Sequence, residues 1–292
     1  MFLKNKSAKL LGAVAFAGAL FASHAALALP VEWQTDMQAS ASPVMDRIED
    51  FHRLLLIIIT LITIFVAILL GWVMIRFRAG ANPVPSKTHH NTLLEVAWTL
   101  IPVLILVVIA IPSFRLLYFE ADMPHPDVVI KAIGKQWFWT YEYKGPNFTF
   151  DSQGLTTVEA ADGDQPDAAV KAGKPRLFSV DHAIYVPVNK VVEVQTTGAD
   201  VIHAWTIPQF GVKIDAIPGK INSTWFKATQ IGVFYGQCSE LCGARHAFMP
   251  IEVHVVSDAD YAAWLAAAKK DTQTYQPLAD AAVTTTRLAS KD

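Results

Sequence analysis

A run of 22 residues without a charged side chain, from Leu54 to Ile75, constrains this chain more than any other feature. The run is rich in Leu, Ile and Val, and Trp72 lies near its end. A helix of about 20 apolar residues crosses the hydrocarbon core of a bilayer. The sequence therefore predicts a membrane-spanning helix at about 54–75.

A second span is predicted at about 93–119, with one acid, Glu95, near its start and Arg115 near its far end. The loop between the spans contains three basic residues and no acid. Basic loops stay in the cytoplasm, so the outer ends of this hairpin lie on the other side of the membrane. A carboxylate at the end of a span needs water or a partner, and Glu95 is either functional or an interfacial acid that reaches solvent.

The first 28 residues are typical of a secretory signal peptide. Three lysines precede an apolar stretch at 10–22, and Ala26-Leu27-Ala28 provides a cleavage site of small residues. We expect cleavage after Ala28, which leaves residues 29–119 as an N-terminal segment plus the hairpin. The alternative is an uncleaved anchor helix, for which the apolar stretch is short.

The signal peptide and the basic loop both place residues 120–292 in the periplasm. Short β-branched or aromatic runs separated by Pro, Gly and Asn predict a β-sandwich or barrel over 120–257; they lie at 128–130, 136–143, 184–188, 191–196 and 251–256. Residues 156–175 read as a solvated loop or an insertion. Residues 258–292 are expected to form a helix at 258–270 followed by a disordered polar tail.

The charge of this periplasmic part is acidic. From Glu120 to Asp292 there are 20 acidic and 15 basic residues, a net charge of −5. Such a balance argues against nucleic acid and suits a basic protein partner, although it could also serve only solubility.

Soft metal ligands are concentrated near the end of the β region. Cys238, Cys242, His246 and Met249 lie within twelve residues, and His203 lies upstream. Thiolate, imidazole and thioether ligands favour copper among first-row metals, whereas carboxylates would dominate a calcium or magnesium site. Zinc is a strong alternative because two Cys and two His are a common zinc set, but it leaves the methionine without a role.

The two cysteines could instead form a disulfide, as is usual in exported proteins. Closing so short a ring strains disulfide geometry. A blue copper site uses a single cysteine, so this set has one thiol too many for it. Two copper ions bridged by both thiolates, with one imidazole on each ion, account for all the ligands.

With these residues in place, the chain resembles subunit II of cytochrome c oxidase, in a bacterial, proteobacterial-type form. The resemblance covers the hairpin, Gln136–Tyr143 (QWFWTYEY), Asp215–Gly219 (DAIPG) and the cysteine loop 236–250. It implies an α+β membrane protein, in which a two-helix transmembrane hairpin precedes a cupredoxin-like β-sandwich. It also implies the inner membrane, with the C-terminal domain in the periplasm.

The resemblance implies a role for each residue that matches the family pattern. The dinuclear copper centre, called CuA, takes side chains of His203, Cys238, Cys242, His246 and Met249. The backbone carbonyl of Glu240 would be a further copper ligand, and its carboxylate would bind a magnesium or manganese ion shared with subunit I.

Electron entry, docking and proton uptake are implied in the same way. Trp137 matches the electron-entry tryptophan, and Phe138 replaces the tyrosine that the family usually has next to it. We expect Trp139 to be a core residue. Glu142, Asp181 and Asp200 match acids that dock cytochrome c, and we expect them away from the metals. Glu95 matches the acid at the mouth of the K proton pathway.

The function implied is electron transfer from cytochrome c to heme in subunit I, for oxygen reduction coupled to proton pumping. Three other classes fit less well. A quinol oxidase subunit would lack the cysteines, a nitrous oxide reductase would need a large His-rich second domain, and a copper chaperone would have a looser, Met-rich site. Membrane lipid and the other oxidase subunits are further expected partners.

Overall fold

The structure is a computed structural model that describes residues 26–278 except 32, 162 and 164–166. The α-helices of this part are α1 Pro43–Arg76, α2 Thr92–Ala121, α3 Val158–Ala161, α4 Ala168–Lys171 and α5 Asp258–Ala268. The strands are β1 Ala26–Ala28, β2 Val128–Lys135, β3 Phe138–Tyr143, β4 Phe148–Ser152, β5 Ile184–Pro187, β6 Val191–Gly198, β7 His203–Ile207, β8 Val212–Ala216, β9 Asn222–Lys227, β10 Gly232–Gln237, β11 Pro250–Val256 and β12 Gln276–Pro277.

Both long helices are apolar enough to cross a membrane, and they contain the two predicted spans. Helix α1 begins well before its apolar run, because the Ser42 side chain accepts from the Met45 N–H and Pro43 fits the first turn. Helix α2 is capped in the same way by Asn91, whose side chain accepts from the Leu94 N–H. The helices are joined through residues 77–91, as a hairpin requires.

The β-strands form a six-stranded sheet in the order β12-β4-β3-β2-β6-β9 and a four-stranded sheet in the order β1-β10-β11-β5. Strands β7 and β8 form a separate antiparallel ribbon. Side chains from both sheets and from the ribbon meet in a single core, for example Val194, Val253 and Trp205. The prediction of a transmembrane hairpin followed by a β-sandwich domain is confirmed.

The anchor is fastened to the β domain at the residues before α1. Ala41 donates to the Gln209 carbonyl at 2.9 Å, and the Ser42 hydroxyl donates to the Phe210 carbonyl at 2.7 Å. Gly211 follows with a positive φ of 68°, and a Cβ there would lie 2.8 Å from Ile48 Cδ1. Only glycine combines this backbone conformation with so close an approach of the helix.

Two sequence expectations for the periplasmic part were wrong in detail. The segment 156–175 is not simply a solvated loop: it contains α3 and α4, and Ala169 on α4 is fully buried. The chain after α5 is also ordered as far as 278, because β12 pairs with β4 and Tyr275 packs edge-on against Phe148 and Phe150. An aromatic side chain in a polar segment was the signal for this packing.

The N-terminal prediction falls mostly outside the described residues. Residues 1–25 are not described, and the backbone of 26–28 pairs in parallel with Gly232–Phe234 of β10. Cleavage after Ala28 remains a prediction. Residues 279–292 of the expected tail also lie outside the described part.

Candidate metal centre

The candidate ligands are brought together by the pairing of β10 with β11. Gln237 lies opposite Pro250 in this antiparallel pair, so the loop 238–249 leaves and returns at the same point. The Cys238 N–H donates to the Met249 carbonyl at 2.9 Å and closes the base of the loop. His203 begins β7, and the Ser239 N–H donates to the Ala204 carbonyl at 3.0 Å, which joins the ribbon to the loop.

The two thiols and two imidazoles form a compact cluster. The Sγ atoms of Cys238 and Cys242 are 3.8 Å apart, so the cysteines are free rather than disulfide-bonded. Nδ1 of His203 lies 3.9 Å from Cys238 Sγ, and Nδ1 of His246 lies 3.6 Å from Cys242 Sγ. Metal–sulfur and metal–nitrogen bonds are about 2.0–2.3 Å long, so donors at these separations can share an ion.

Burial makes the cluster a poor place for two uncompensated thiolates. Burial opposes ionisation of Cys238, but hydrogen bonds from His203 and from backbone groups lower its pKa to about 6. Burial and the negative charge of Cys238 then raise the pKa of Cys242 to about 12. A bound cation would resolve this conflict, since metal ligation deprotonates a thiol outright. The donor set thus fits a soft metal, and His203, Cys238 and Cys242 converge closely enough to bind one.

Asp200 holds His203 in place, which the sequence did not reveal. Its Oδ1 accepts from His203 Nε2 at 2.9 Å, so Nδ1 remains directed at the sulfur. The same carboxylate accepts from the N–H groups of Val201 and Gln136, each at 2.7 Å. The expectation that the predicted docking acids lie away from the metal ligands was therefore wrong for Asp200.

Trp137 contacts the cysteine loop directly. Its indole Nε1 donates to the Cys242 carbonyl at 3.1 Å, and the Gln136 side chain donates to the same oxygen at 3.0 Å. Trp137 is half-buried, whereas Trp139 two residues later is fully buried in the core as expected. The tip of the β2–β3 hairpin is thus bound both to the loop and, through Asp200, to His203.

Gly134 provides the space that the buried imidazole needs. A Cβ at this position of β2 would lie 2.6 Å from Cδ2 of His203. An isolated glycine within a strand pattern is the sequence signal for such a close approach.

The remaining residues of the loop differ in burial. Met249 is buried, whereas Glu240 is exposed and Leu241 is 79% exposed. The Glu240 carbonyl lies 3.3 Å from Cys238 Sγ, on the side of the thiol–imidazole cluster, and the residue is exposed. His246 is half-buried at the start of the short 3₁₀ helix His246–Phe248.

The other predicted acids have local partners. Glu142 pairs with Lys144 at 2.6 Å and Lys131 at 3.5 Å. Burial opposes its ionisation, but these two ammonium groups lower the pKa of Glu142 overall. Asp181 is partly exposed and accepts from two backbone N–H groups beside it. Glu95, in the first turn of α2, pairs with His90 at 2.7 Å.

These features define a class of protein: a two-helix membrane anchor carrying a β domain in which thiols and imidazoles form a buried candidate metal site. Two family models match the chain, the periplasmic domain of cytochrome c oxidase subunit II at residues 128–256 and the transmembrane domain of the same subunit at residues 30–116. The chain belongs to the cytochrome c oxidase subunit II family.

Curated relatives agree over most of the chain. It is 44% identical over 270 residues to a probable cytochrome c oxidase subunit 2 of Rickettsia bellii, which covers 92% of this chain and 94% of the relative. It is 46% identical over 247 residues to cytochrome c oxidase subunit 2 of Cereibacter sphaeroides, covering 82% and 81%. Among solved structures, the periplasmic domain of subunit II of cytochrome oxidase from Bradyrhizobium japonicum matches with 54% identity and a TM-score of 0.44, over 51% of this chain and 97% of that one.

Membership of the family makes the chain a subunit of cytochrome c oxidase, an oxidoreductase complex. The two apolar helices and the periplasmic-domain match also locate it in the inner membrane, with its C-terminal domain in the periplasm. The predictions of the family, of a subunit of an oxidase complex and of the localisation are confirmed.

Proposed function

We propose that this chain accepts electrons from cytochrome c at a dinuclear copper centre and passes them toward heme in subunit I, where oxygen reduction is coupled to proton pumping. The observation that carries the proposal is the pair of buried thiols 3.8 Å apart, each with one imidazole Nδ1 facing its sulfur. When bound, two copper ions held by the thiolates of Cys238 and Cys242 would supply reversible one-electron redox chemistry.

The protein's part is to hold this donor set rigidly. His203, Cys238, Cys242, His246 and Met249 are the proposed side-chain ligands. Backbone hydrogen bonds fix the loop at both ends, and Asp200 fixes the orientation of His203. Outer partners of this kind set the tautomer and orientation of a ligating histidine. A site that cannot relax needs little reorganisation when its charge changes.

Glu240 has two proposed roles. Its carbonyl is directed toward the cluster, 3.3 Å from Cys238 Sγ, and would be a ligand of one copper ion. Its exposed carboxylate would bind a magnesium or manganese ion shared with subunit I, since hard divalent cations prefer oxygen ligands.

Electrons would enter at Trp137. Its half-buried ring is both reachable from the surface and hydrogen-bonded to the Cys242 carbonyl, so a donor docked there is one contact from a proposed ligand. The acids Glu142, Asp181 and Asp200 would guide a basic cytochrome c. Because Glu142 is paired with two lysines, Asp181 and Asp200 would supply more of the attraction.

Glu95 would serve proton uptake at the cytoplasmic side. It lies in the first turn of α2, is partly exposed, and pairs with His90 at 2.7 Å. A carboxylate at this position can exchange protons with water while it contacts a partner subunit.

Copper reconstitution of the purified full-length chain tests the centre. We expect two copper ions per chain and an EPR signal delocalised over both. Cys238→Ser should abolish that signal, because each thiolate would bridge both ions, whereas Ser239→Ala should preserve it. One tetrahedral zinc per chain with no uptake of copper would contradict the proposal.

A further inference from the structure

Two cavities lie between α1 and α2, and we call the line that they follow the seam. The cavity near the periplasmic ends of the helices has a volume of about 200 Å³ and is lined by Arg47 and Phe51 from α1 and by Pro112 and Arg115 from α2. Deeper in the hairpin is a second cavity of about 360 Å³, whose lining is entirely apolar.

The two cavities lie along the same faces of the helices. On α1, the lining positions 47, 51, 54, 58 and 61 recur every three or four residues. On α2, positions 101, 105, 108, 112 and 116 do the same. This spacing marks one stripe on each helix. From position 47 to position 62 the stripe extends about 22 Å at about 1.5 Å per residue, roughly the length of a lipid acyl chain.

The periplasmic end of the seam is positively charged. Among the described residues neither Arg47 nor Arg115 has an ion pair, and the guanidinium of Arg47 lies 3.6 Å over the Phe119 ring. Asp50 also lines the cavity, but it pairs with Arg53 at 3.6 Å. Arg115 lies four residues before the end of the predicted span at 119, and Arg47 lies seven residues before the apolar run that begins at Leu54. Long basic side chains near the end of a span can reach the headgroup region.

We propose that this seam binds one phospholipid of the periplasmic leaflet. Its phosphodiester lies between Arg47 and Arg115, and an acyl chain follows the apolar groove past Leu61 and Ile105. Guanidinium groups bind phosphate through paired hydrogen bonds. A helix of another subunit that carries a carboxylate is the alternative occupant, and the test below distinguishes it from a phospholipid. The site does not depend on the proposed copper centre.

The test is the number of phospholipids that remain bound to the assembled oxidase, measured by native mass spectrometry after purification in a mild detergent. Arg47→Gln with Arg115→Gln should remove one phospholipid per complex. Arg53→Gln is the matched control, because Arg53 lies near the same end of α1, is paired with Asp50 and does not line the cavity. Ile105→Trp should remove the same phospholipid by filling the groove while both arginines remain.

The possible results separate the alternatives. Loss of one phospholipid in both the arginine and the tryptophan variants, but not in the control, supports the site. An unchanged phospholipid count in the arginine variant overturns it, as does an equal loss in the control. Loss of a neighbouring subunit with the phospholipid retained would assign the arginines to a protein carboxylate. Loss of the phospholipid in the arginine variant but not in Ile105→Trp would refute the proposed position of the acyl chain. A free phosphate or a headgroup alone would bind at the arginines without needing the groove.

Discussion

Replacing Asp200 by alanine should weaken copper binding without removing any proposed ligand. The carboxylate fixes His203 through a 2.9 Å hydrogen bond to Nε2, and the imidazole is fully buried. Without this acceptor the ring can rotate, and its Nε2 is left without a partner in the described structure. Deprotonated metal ligands depend on such outer contacts for their orientation.

The size of the effect follows from the exposure of the pair. A hydrogen bond to a charged group contributes about 1.5–3 kcal/mol. Because the Asp200 side chain is 34% exposed, we take the lower end, about 1.5 kcal/mol. Every 1.4 kcal/mol or so is a tenfold change in a binding constant, so copper affinity should fall by about tenfold. Removing outer partners of metal ligands typically costs about 10–100-fold.

The assay is a competition titration of copper between the full-length chain and a chelator. Asp181→Ala is the matched control: its Oδ1 accepts from the N–H groups of Gln153 and His182, each at 2.7 Å, but contacts no proposed ligand. Asp200→Asn should retain part of the affinity, because an amide oxygen can still accept. Equal affinities for Asp200→Ala and Asp181→Ala would refute the positioning role.

Three further predictions address electron entry, the anchor and acid stability. Trp137→Phe should keep the copper content but slow electron delivery from cytochrome c in stopped flow by on the order of tenfold, about 1.4 kcal/mol of barrier; an unchanged rate would make the indole a packing residue. Gly211→Ala should destabilise the chain by about 1–3 kcal/mol more than Gly219→Ala in denaturant unfolding, because both glycines have positive φ but only Gly211 touches the anchor. Burial opposes ionisation of Glu252, but hydrogen bonds from His254 and the Val180 N–H lower its pKa overall. That stabilisation is therefore present above the unfolded pKa of about 4.3 and is lost as pH falls through the lower folded pKa. Glu252→Gln should therefore make the melting temperature depend less steeply on pH below about pH 4. An unchanged slope of melting temperature against pH would contradict this prediction.

Local sequence patterns were enough to predict those parts of the chain whose structure depends on a single helix or loop. The spans at 54–75 and 93–119 lie inside α1 and α2, since a membrane helix needs only its own apolar run. The cysteine loop could also be recognised from the sequence, because four residues of soft-ligand type within twelve positions favour a metal site. Several strands were not predicted, among them β4 and β7–β10, because short strands depend on the neighbours with which they pair.

The sequence by itself determined the membrane anchor, the soft-metal ligand set and the family, because each depends on residue types at short spacing. Only the tertiary structure revealed that Asp200 orients His203, that Gln136 and Trp137 bind the Cys242 carbonyl, and that Gly134 makes room for the buried ring. The contacts with Gln136 and Trp137 join positions more than 60 residues apart. The register of strand pairing decides which of these distant positions meet. A shift of one residue would turn every side chain of a strand to the opposite face of the sheet. The candidate ligands could therefore be identified from the sequence, whereas their orientation depends on how the strands pair.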